Sequence, residues 1–453
     1  MKFSIIVGLL LISVLFAGCV GEDDALFEVR TMDNGLEVIF VESHHVPLVS
    51  VVITAKNGAY TESQEHDGLS HFYEHMFFKA NKVIPSQEEY MKEVRNLGAW
   101  WNGWTSTEAV AYYFTVPEEN FMETLQFMEN AIRFPLFDDE ELEREKEVIL
   151  AEYDRADAQP GRALSMAMDE LLWYEHYVRK NTLGNRTIIA TNNREKMLTI
   201  QQRYYVPNNC ALIIAGDVSA EEAFDGAEAI FSDWEEGADP FELYPVPEHP
   251  PLRESRSVII ERPVGAITLT MEFHGPSVYE DEDMTYAADL FSFVINNPGS
   301  KFQKNLVDSG LFTSCSLWYL TQNNTGPIYI TGQTDVENFF EARDALSDEI
   351  NRFDDPDYFK NEEIDDAKSQ VVVSRVFDFD TLHSSFISSG LPFWWAITGV
   401  DYYENYAENL NKVEKGDFAS FAGEYLIDKP FVVGVLLSSD DRISLDLMEG
   451  DLL

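Results

Sequence analysis

The sequence is poor in cysteine, in basic residues and in long apolar runs. Three cysteines among 453 residues are too few for a disulfide framework or a cysteine zinc site. Lysine and arginine together number 32 against 80 aspartates and glutamates, a formal net charge of −48. Because phosphate binding requires a basic surface, we expect no nucleic-acid partner.

The remaining composition is that of a folded globular protein, with 45% hydrophobic and 25% charged residues. The length suits two or three domains. The acidic excess has two interpretations: a uniformly solvated surface, or a field that draws cationic peptides toward a cleft. Cys210 and Cys315 lie in apolar surroundings, where we expect buried free thiols, and a single bridge between them stays open.

The amino terminus predicts an exported protein. An apolar run from Phe3 to Phe16 is too short to span a membrane stably, so residues 1–18 are predicted to be a cleaved signal peptide. "FAGC" resembles a lipobox, which makes Cys19 a candidate lipid anchor at the outer face of the cell membrane. The alternative is a plain secretory signal with an incidental cysteine. Residues 19–25 are interpreted as an acidic tether.

The chain divides into two similar parts of α/β type. Residues 26–240 begin with an alternating hairpin around an Asn-Gly turn and continue with strands mixed with helices. Residues 241–252, within "FELYPVPEHPP", are rich in proline and are predicted to form a linker. A similar order of strands and helices follows over residues 253–453, which indicates an internal duplication.

The motif "HFYEH" carries the predicted chemistry. Residues four apart lie on one face of a helix, so His71 and His75 can bind one metal ion together. Glu74 lies beside them, positioned to take a proton from a water. Two imidazoles leave room for a third ligand and a water, which a catalytic zinc site requires. A chance His-x-x-Glu-His in this chain has an expectation of roughly 0.02.

The third ligand is not fixed by the pattern. "EREKEVILAEY" places Glu145 and Glu152 on one face of a second helix. A solvated acidic surface would produce the same spacing, and helical periodicity cannot choose between the two.

At these residues the chain resembles the pitrilysin family of zinc metallopeptidases, whose signature is an inverted zinc motif followed by a glutamate after a spacer near 76 residues. Here 76 residues separate His75 from Glu152. The resemblance implies a Zn²⁺ cofactor held by His71, His75 and Glu152. It also implies Glu74 as general base and Glu145 as a supporting carboxylate.

The resemblance further implies a fold and a substrate edge. The fold would be two similar domains, each a mainly antiparallel sheet with packed helices, together forming half of a clamshell. "WNGWTS" would be a strand edge on which an extended peptide lies by β-augmentation, with Asn102 near the scissile bond and Gly103 where the family usually has alanine. We rate substrate contact and core packing as equal alternatives for the three nearby tryptophans, Trp100, Trp101 and Trp104.

The second part departs from the family pattern. By alignment, Val307 and Phe312 replace an arginine and a tyrosine that would bind the substrate and stabilise the tetrahedral intermediate. The sequence therefore predicts a zinc metalloendopeptidase subunit acting on unfolded peptides with a homologous partner that supplies the missing pair. The alternatives are a noncatalytic assembly subunit, against which Glu74 argues, and a metal-storing lipoprotein, which would carry histidine-rich tracts. Peptide preference, the partner's identity and the metal used in the cell stay open.

Overall fold

The computed structural model of the chain describes residues 27–380, 383, 387 and 390–453. The predicted signal peptide, the tether and Cys19 lie outside the described residues. Of the helices that are described, none combines the length and apolarity needed to cross a membrane.

The first half contains a six-stranded sheet in the order β1-β2-β6-β3-β5-β4. Its strands are β1 (Glu28–Thr31), β2 (Glu37–Glu42), β3 (Leu48–Ala55), β4 (Trp100–Thr105), β5 (Val110–Pro117) and β6 (Cys210–Gly216). Of the described strand pairs in this sheet, β2–β6 is parallel and the others are antiparallel. The mainly antiparallel sheet is therefore confirmed, and so is the opening hairpin around Asn34-Gly35.

Among its described residues, this half has nine α-helices. They are α1 (Leu69–Phe77), α2 (Gln87–Asn96), α3 (Phe121–Arg133), α4 (Asp139–Asp157), α5 (Pro160–Leu172), α6 (Arg186–Ala190), α7 (Arg194–Tyr204), α8 (Ala220–Phe231) and α9 (Pro240–Leu243). Ser86 caps α2 as predicted, accepting from the backbone amide of Glu89 at 3.2 Å. Asp138 caps α4 in the same way.

The second half contains a five-stranded sheet in the order β7-β11-β8-β10-β9. Its strands are β7 (Arg256–Glu261), β8 (Ile267–His274), β9 (Ser314–Tyr319), β10 (Pro327–Thr334) and β11 (Val432–Leu437). Again one pair, β7–β11, is parallel. Between the two sheets, residues 244–255 form no helix or strand, while the start of the predicted linker lies in the short helix α9.

After α9, eight further α-helices lie in the part of the chain that the structure describes. They are α10 (Val278–Asn296), α11 (Lys301–Gln303), α12 (Phe339–Ile350), α13 (Asn361–Asp380), α14 (Leu391–Ile397), α15 (Val400–Lys412), α16 (Lys415–Tyr425) and α17 (Ser439–Leu445). A π-helical turn, Lys304–Asp308, continues α11.

Each half packs a helix against the sheet of the other half. Alternate residues of β2, β3 and β6 pack against helices of their own half, and the others, such as Ile39 and Val52, pack against Leu391 and Trp395 of α14. Conversely, Met168 and other apolar residues of α5 contact β11 of the second sheet. Strands β2, β3, β6 and β11 are thus apolar on both faces, because one face of each packs against a helix of the other half.

Cys210 and Cys315 are both buried and free. The expectation of buried thiols is confirmed, and the alternative of a bridge between them is excluded.

Candidate metal centre and substrate cleft

Helix α1 presents the predicted motif at the floor of a cleft of about 510 Å³. The helix begins after Gly68, which adopts φ +89°. A side chain at this position would be strained, and its Cβ would lie 2.7 Å from the Cα of Gly184. The apolar face of α1 enters the core, while His71, Glu74 and His75 line the cleft.

Three ligand atoms converge in this cleft. The Nε2 atoms of His71 and His75 lie 3.2 Å apart. A carboxylate oxygen of Glu152, from α4, lies 3.8 Å and 3.5 Å from these nitrogens. Donors bound to one tetrahedral zinc, with bonds of about 2.0–2.1 Å, are separated by about 3.3 Å. The three residues therefore fit a single ion.

Glu145 contacts the other nitrogen of the second histidine. Its Oε1 lies 2.8 Å from Nδ1 of His75, and its Oε2 pairs with Nζ of Lys79 at 2.7 Å. A hydrogen bond donated by Nδ1 fixes the tautomer that leaves Nε2 available for a metal. The structure thus separates the two glutamates that the sequence left equivalent.

The electrostatics of the two imidazoles differ. Burial, followed by the charge of His75, lowers the pKa of His71 to about 4. Burial also lowers the pKa of His75, but the hydrogen bond that its Nδ1 donates to Glu145 and the charges of Glu74 and Glu152 outweigh burial and raise the pKa overall. Nδ1 of His71 is buried and has no hydrogen-bond partner within the part of the chain that the structure describes.

Glu74 is held by a residue of the neighbouring strand. The hydroxyl of Thr105 donates to Oε2 of Glu74 at 2.8 Å. Burial raises the pKa of Glu74, and this hydrogen bond opposes the rise. A buried carboxylate beside two imidazoles is a suitable proton acceptor because its pKa is closer to neutrality.

The strand β4 lies at the edge of the first sheet and borders the same cleft. Asn102 is exposed there, and Trp100 is 51% exposed. Trp101 instead packs against Phe78, with ring centroids 4.7 Å apart. Trp104 is partly buried and packs against the apolar cluster that joins the first sheet to α14. Of the three tryptophans, Trp101 and Trp104 are thus packed against apolar neighbours and Trp100 is exposed.

Gly103 has a local packing reason. A Cβ at this position would lie 3.0 Å and 3.1 Å from two atoms of the Phe78 ring. An alanine methyl group here would therefore be in tight contact with the ring, which would have to shift by a few tenths of an ångström.

The two substituted positions of the second half are packed into its core. Phe312 is 1% exposed, and Val307 packs partly buried against the same apolar cluster. Neither side chain has a polar group to offer a substrate.

Comparison with known proteins agrees with this geometry. The family description "Insulinase (Peptidase family M16)" matches residues 37–188, and "Peptidase M16 inactive domain" matches residues 192–371. The chain belongs to the M16 peptidase family. The predicted resemblance to the pitrilysin family of zinc metallopeptidases is confirmed.

Several individual proteins are similar to this M16 chain. An uncharacterized zinc protease of Rickettsia bellii is 26% identical over 351 residues, 76% of this chain and 82% of that protein. A probable mitochondrial-processing peptidase subunit beta of Arabidopsis thaliana is 25% identical over 206 residues, 45% and 38% of the two chains. A protease from Helicobacter pylori shares the fold, with a TM-score of 0.80 and 18% identity over 91% of this chain and all of the other.

Sequence reasoning missed Lys79 and Thr105. Lys79 lies four residues after His75, and Thr105 lies within "WNGWTS", two residues after Gly103. Their contacts with Glu145 and Glu74 join separate elements, and the only signal for them was their position within two or four residues of a predicted site residue.

Proposed function

We propose that this chain is an exported zinc-dependent endopeptidase subunit that cleaves unfolded peptides. The observation that supports it most is the convergence of His71, His75 and Glu152 in the cleft that also holds Glu74. These three residues would hold the ion. When bound, zinc would supply Lewis acidity toward a water and the scissile carbonyl.

The chain's own side chains would do the rest of the chemistry. Glu74, held by Thr105, accepts the proton of the attacking water and returns it to the leaving amine. Glu145, held by Lys79, keeps the ring of His75 in one tautomer and orientation. No covalent intermediate with the protein is required.

The edge strand β4 would bind the substrate. An extended peptide would pair with this edge strand through backbone hydrogen bonds. Asn102, which lines the cleft, would then lie close to the reacting bond. Selection then depends mainly on an extended backbone, which is consistent with unfolded substrates.

Substitution of Glu74 tests the proposal. Glu74→Gln keeps the size of the side chain and removes the base, so we expect the bound zinc, measured by mass spectrometry of metals, to stay unchanged. Turnover of an unfolded peptide should fall by about 10²–10⁴-fold.

Glu88→Gln is the matched control, because Glu88 is an exposed glutamate on α2, next to the cleft residue Gln87. It should keep full turnover. Equal turnover of the wild type and Glu74→Gln would reject the peptidase. Peptide binding without hydrolysis by either protein would favour the noncatalytic subunit instead.

We further propose that a homologous partner completes the site. Phe312 lies in the apolar core of the second half, Val307 packs partly buried against it, and neither offers a polar group. One similar protein carries the name of a mitochondrial-processing peptidase subunit. A partner with the arginine and tyrosine would stabilise the charge that develops on the carbonyl oxygen.

A further inference from the structure

The turn that follows β4 joins the substrate edge to the rest of the molecule. The backbone amide of Ser106 donates to the carbonyl of Ala109 at 2.8 Å and closes the turn. Thr105, which holds Glu74, is the last residue of β4, directly before this turn. A shift of the turn would therefore move the hydroxyl that holds Glu74.

On one side, the turn contacts the segment that leads to α1. The amides of Ala59 and Tyr60 donate to the carbonyls of Ser106 and Thr107 at 3.4 Å and 2.9 Å. The approach requires glycine at position 58, because a Cβ there would lie 2.5 Å from the oxygen of Ser106.

On the other side, Glu108 reaches the second half. Its carboxylate is buried, with the residue 1% exposed, and accepts from the backbone amides of Asn323 and Asn324 at 2.6 Å and 3.1 Å. The ammonium group of Lys180 donates to the side chain of Gln322 and, at 2.7 Å, to the carbonyl of Thr325. Two side chains of opposite charge from the first half thus hold one loop of the second half, residues 322–325 between β9 and β10.

We propose that Glu108 is a positioning residue through which the second half fixes the turn after β4 and so holds Thr105 against Glu74. The part of this inference that concerns catalysis rests on the proposed peptidase function. Gln at position 108 keeps one acceptor oxygen but lacks the negative charge that the backbone amides of Asn323 and Asn324 face, so it weakens this anchor. The second half then contributes to the site without lending a group that touches the substrate.

Hydrogen–deuterium exchange tests the anchor without any need for turnover. In the full chain, Glu108→Gln should speed exchange of the backbone amides in residues 100–109 by about tenfold or more. The matched control is Glu349→Gln, since Glu349 is 5% exposed and accepts from Tyr358 and Asn305 within the second half. Equal exchange of residues 100–109 in both variants would overturn the anchor.

Kinetics test the consequence for the base. Glu108→Gln and Thr105→Val should each lower kcat by about tenfold with KM changed less than about twofold, whereas Thr105→Ser should retain activity. The double variant should be no slower than Thr105→Val alone, because both act on one contact. Multiplying effects would refute the route through Thr105.

These results are distinct from a failure of the proposed function. If wild type and Glu74→Gln turn over equally, the peptidase is rejected, and the exchange experiment still decides whether Glu108 fixes the turn. If Glu74→Gln is inactive while Glu108→Gln matches Glu349→Gln in kcat, only the positioning role is wrong.

Discussion

At the residue scale, two glutamates on one face of α4 contact different atoms of the histidine pair. Glu152 approaches both Nε2 atoms, and Glu145 contacts only Nδ1 of His75. The His75 and Lys79 contacts outweigh burial and lower the pKa of Glu145. One carboxylate therefore suits a metal ligand and the other a support for a ligand.

Glu145→Gln should weaken the metal site without abolishing it. Gln keeps one acceptor oxygen for His75 but lacks the negative charge of Glu145. That charge pairs with Lys79 and raises the basicity of the His75 imidazole. We expect zinc affinity, measured by competition with a chelator, to fall about 10–100-fold.

The control for this variant lies one turn earlier on the same helix. Glu141 is 5% exposed and accepts from the backbone amides of Ala80 and Gln87, without contact to the histidines. Glu141→Gln should cost stability but leave zinc affinity within about twofold. Equal losses of affinity in both variants would show that the Glu145 effect is only destabilisation.

At the element scale, the position of α1 is set by its first turn. The carboxylate of Glu62 accepts from the amides of Gly68 and Ser70, both at 2.6 Å, and is 4% exposed. A carboxyl acceptor at a helix N-terminus satisfies amides that the helix itself cannot. The histidines that follow are thus presented by a helix fixed at its start.

The packing of α5 against the second sheet requires a glycine in β11. A Cβ at Gly434 of β11 would meet the side chain of Met168 closer than real Cβ atoms approach their neighbours. Gly434→Ala should therefore lower the free energy of unfolding by about 1–3 kcal/mol, measured by urea denaturation.

Combining this change with Met168→Ala distinguishes overpacking from the loss of a glycine as such. The shorter side chain creates space, so the double variant should be more stable than the sum of the two single losses predicts. Strict additivity would mean that Met168 is not the obstacle.

At the scale of the whole molecule, the halves are joined through buried polar groups as well as through the helices that each packs against the sheet of the other. His274 of β8 stacks on Trp173 with ring centroids 4.7 Å apart, and its Nε2 donates to the carbonyl of Leu172 in α5 at 3.1 Å. Burial, followed by the charge of His249, lowers the pKa of His274 to about 3. The folded protein therefore holds this imidazole neutral.

This lowered pKa predicts acid sensitivity. The unfolded chain binds the proton near pH 6.5 and the folded chain only near pH 3, so stability falls as the pH drops from about 6.5 toward 3. Between pH 7.5 and 5.5, His274 should remove about 1.4 kcal/mol from the free energy of unfolding.

Urea denaturation at the two pH values measures this effect. His274→Gln should reduce the fall by about 1.4 kcal/mol. His45→Gln, which replaces an exposed histidine of the first half, serves as the control and should fall as the wild type does. An identical fall in all three proteins would contradict the prediction.

The proposed partner is also tested with the whole molecule. Purified chain should hydrolyse an unfolded peptide weakly, and addition of a homologous chain with the arginine and tyrosine should raise kcat at least about tenfold. Full activity of the chain alone would refute the need for a partner.

The sequence determined much of this architecture because local signals act over a few residues. The Asn34-Gly35 turn, the cap at Ser86 and the spacing of His71 and His75 each depend on contacts within one element. The resemblance supplied the distant Glu152. The prediction of two mainly antiparallel sheets with packed helices was confirmed.

Only the tertiary structure decided which atoms meet between elements. Helical periodicity places Glu145 and Glu152 on one face but cannot tell which carboxylate reaches Nε2, since that depends on how α4 crosses α1. The contacts of Thr105 with Glu74, and of Glu108 with the loop at residues 322–325, likewise join parts that are 31 or more residues apart. Such pairs are fixed by the packing of both halves, and no local pattern in the chain encodes them.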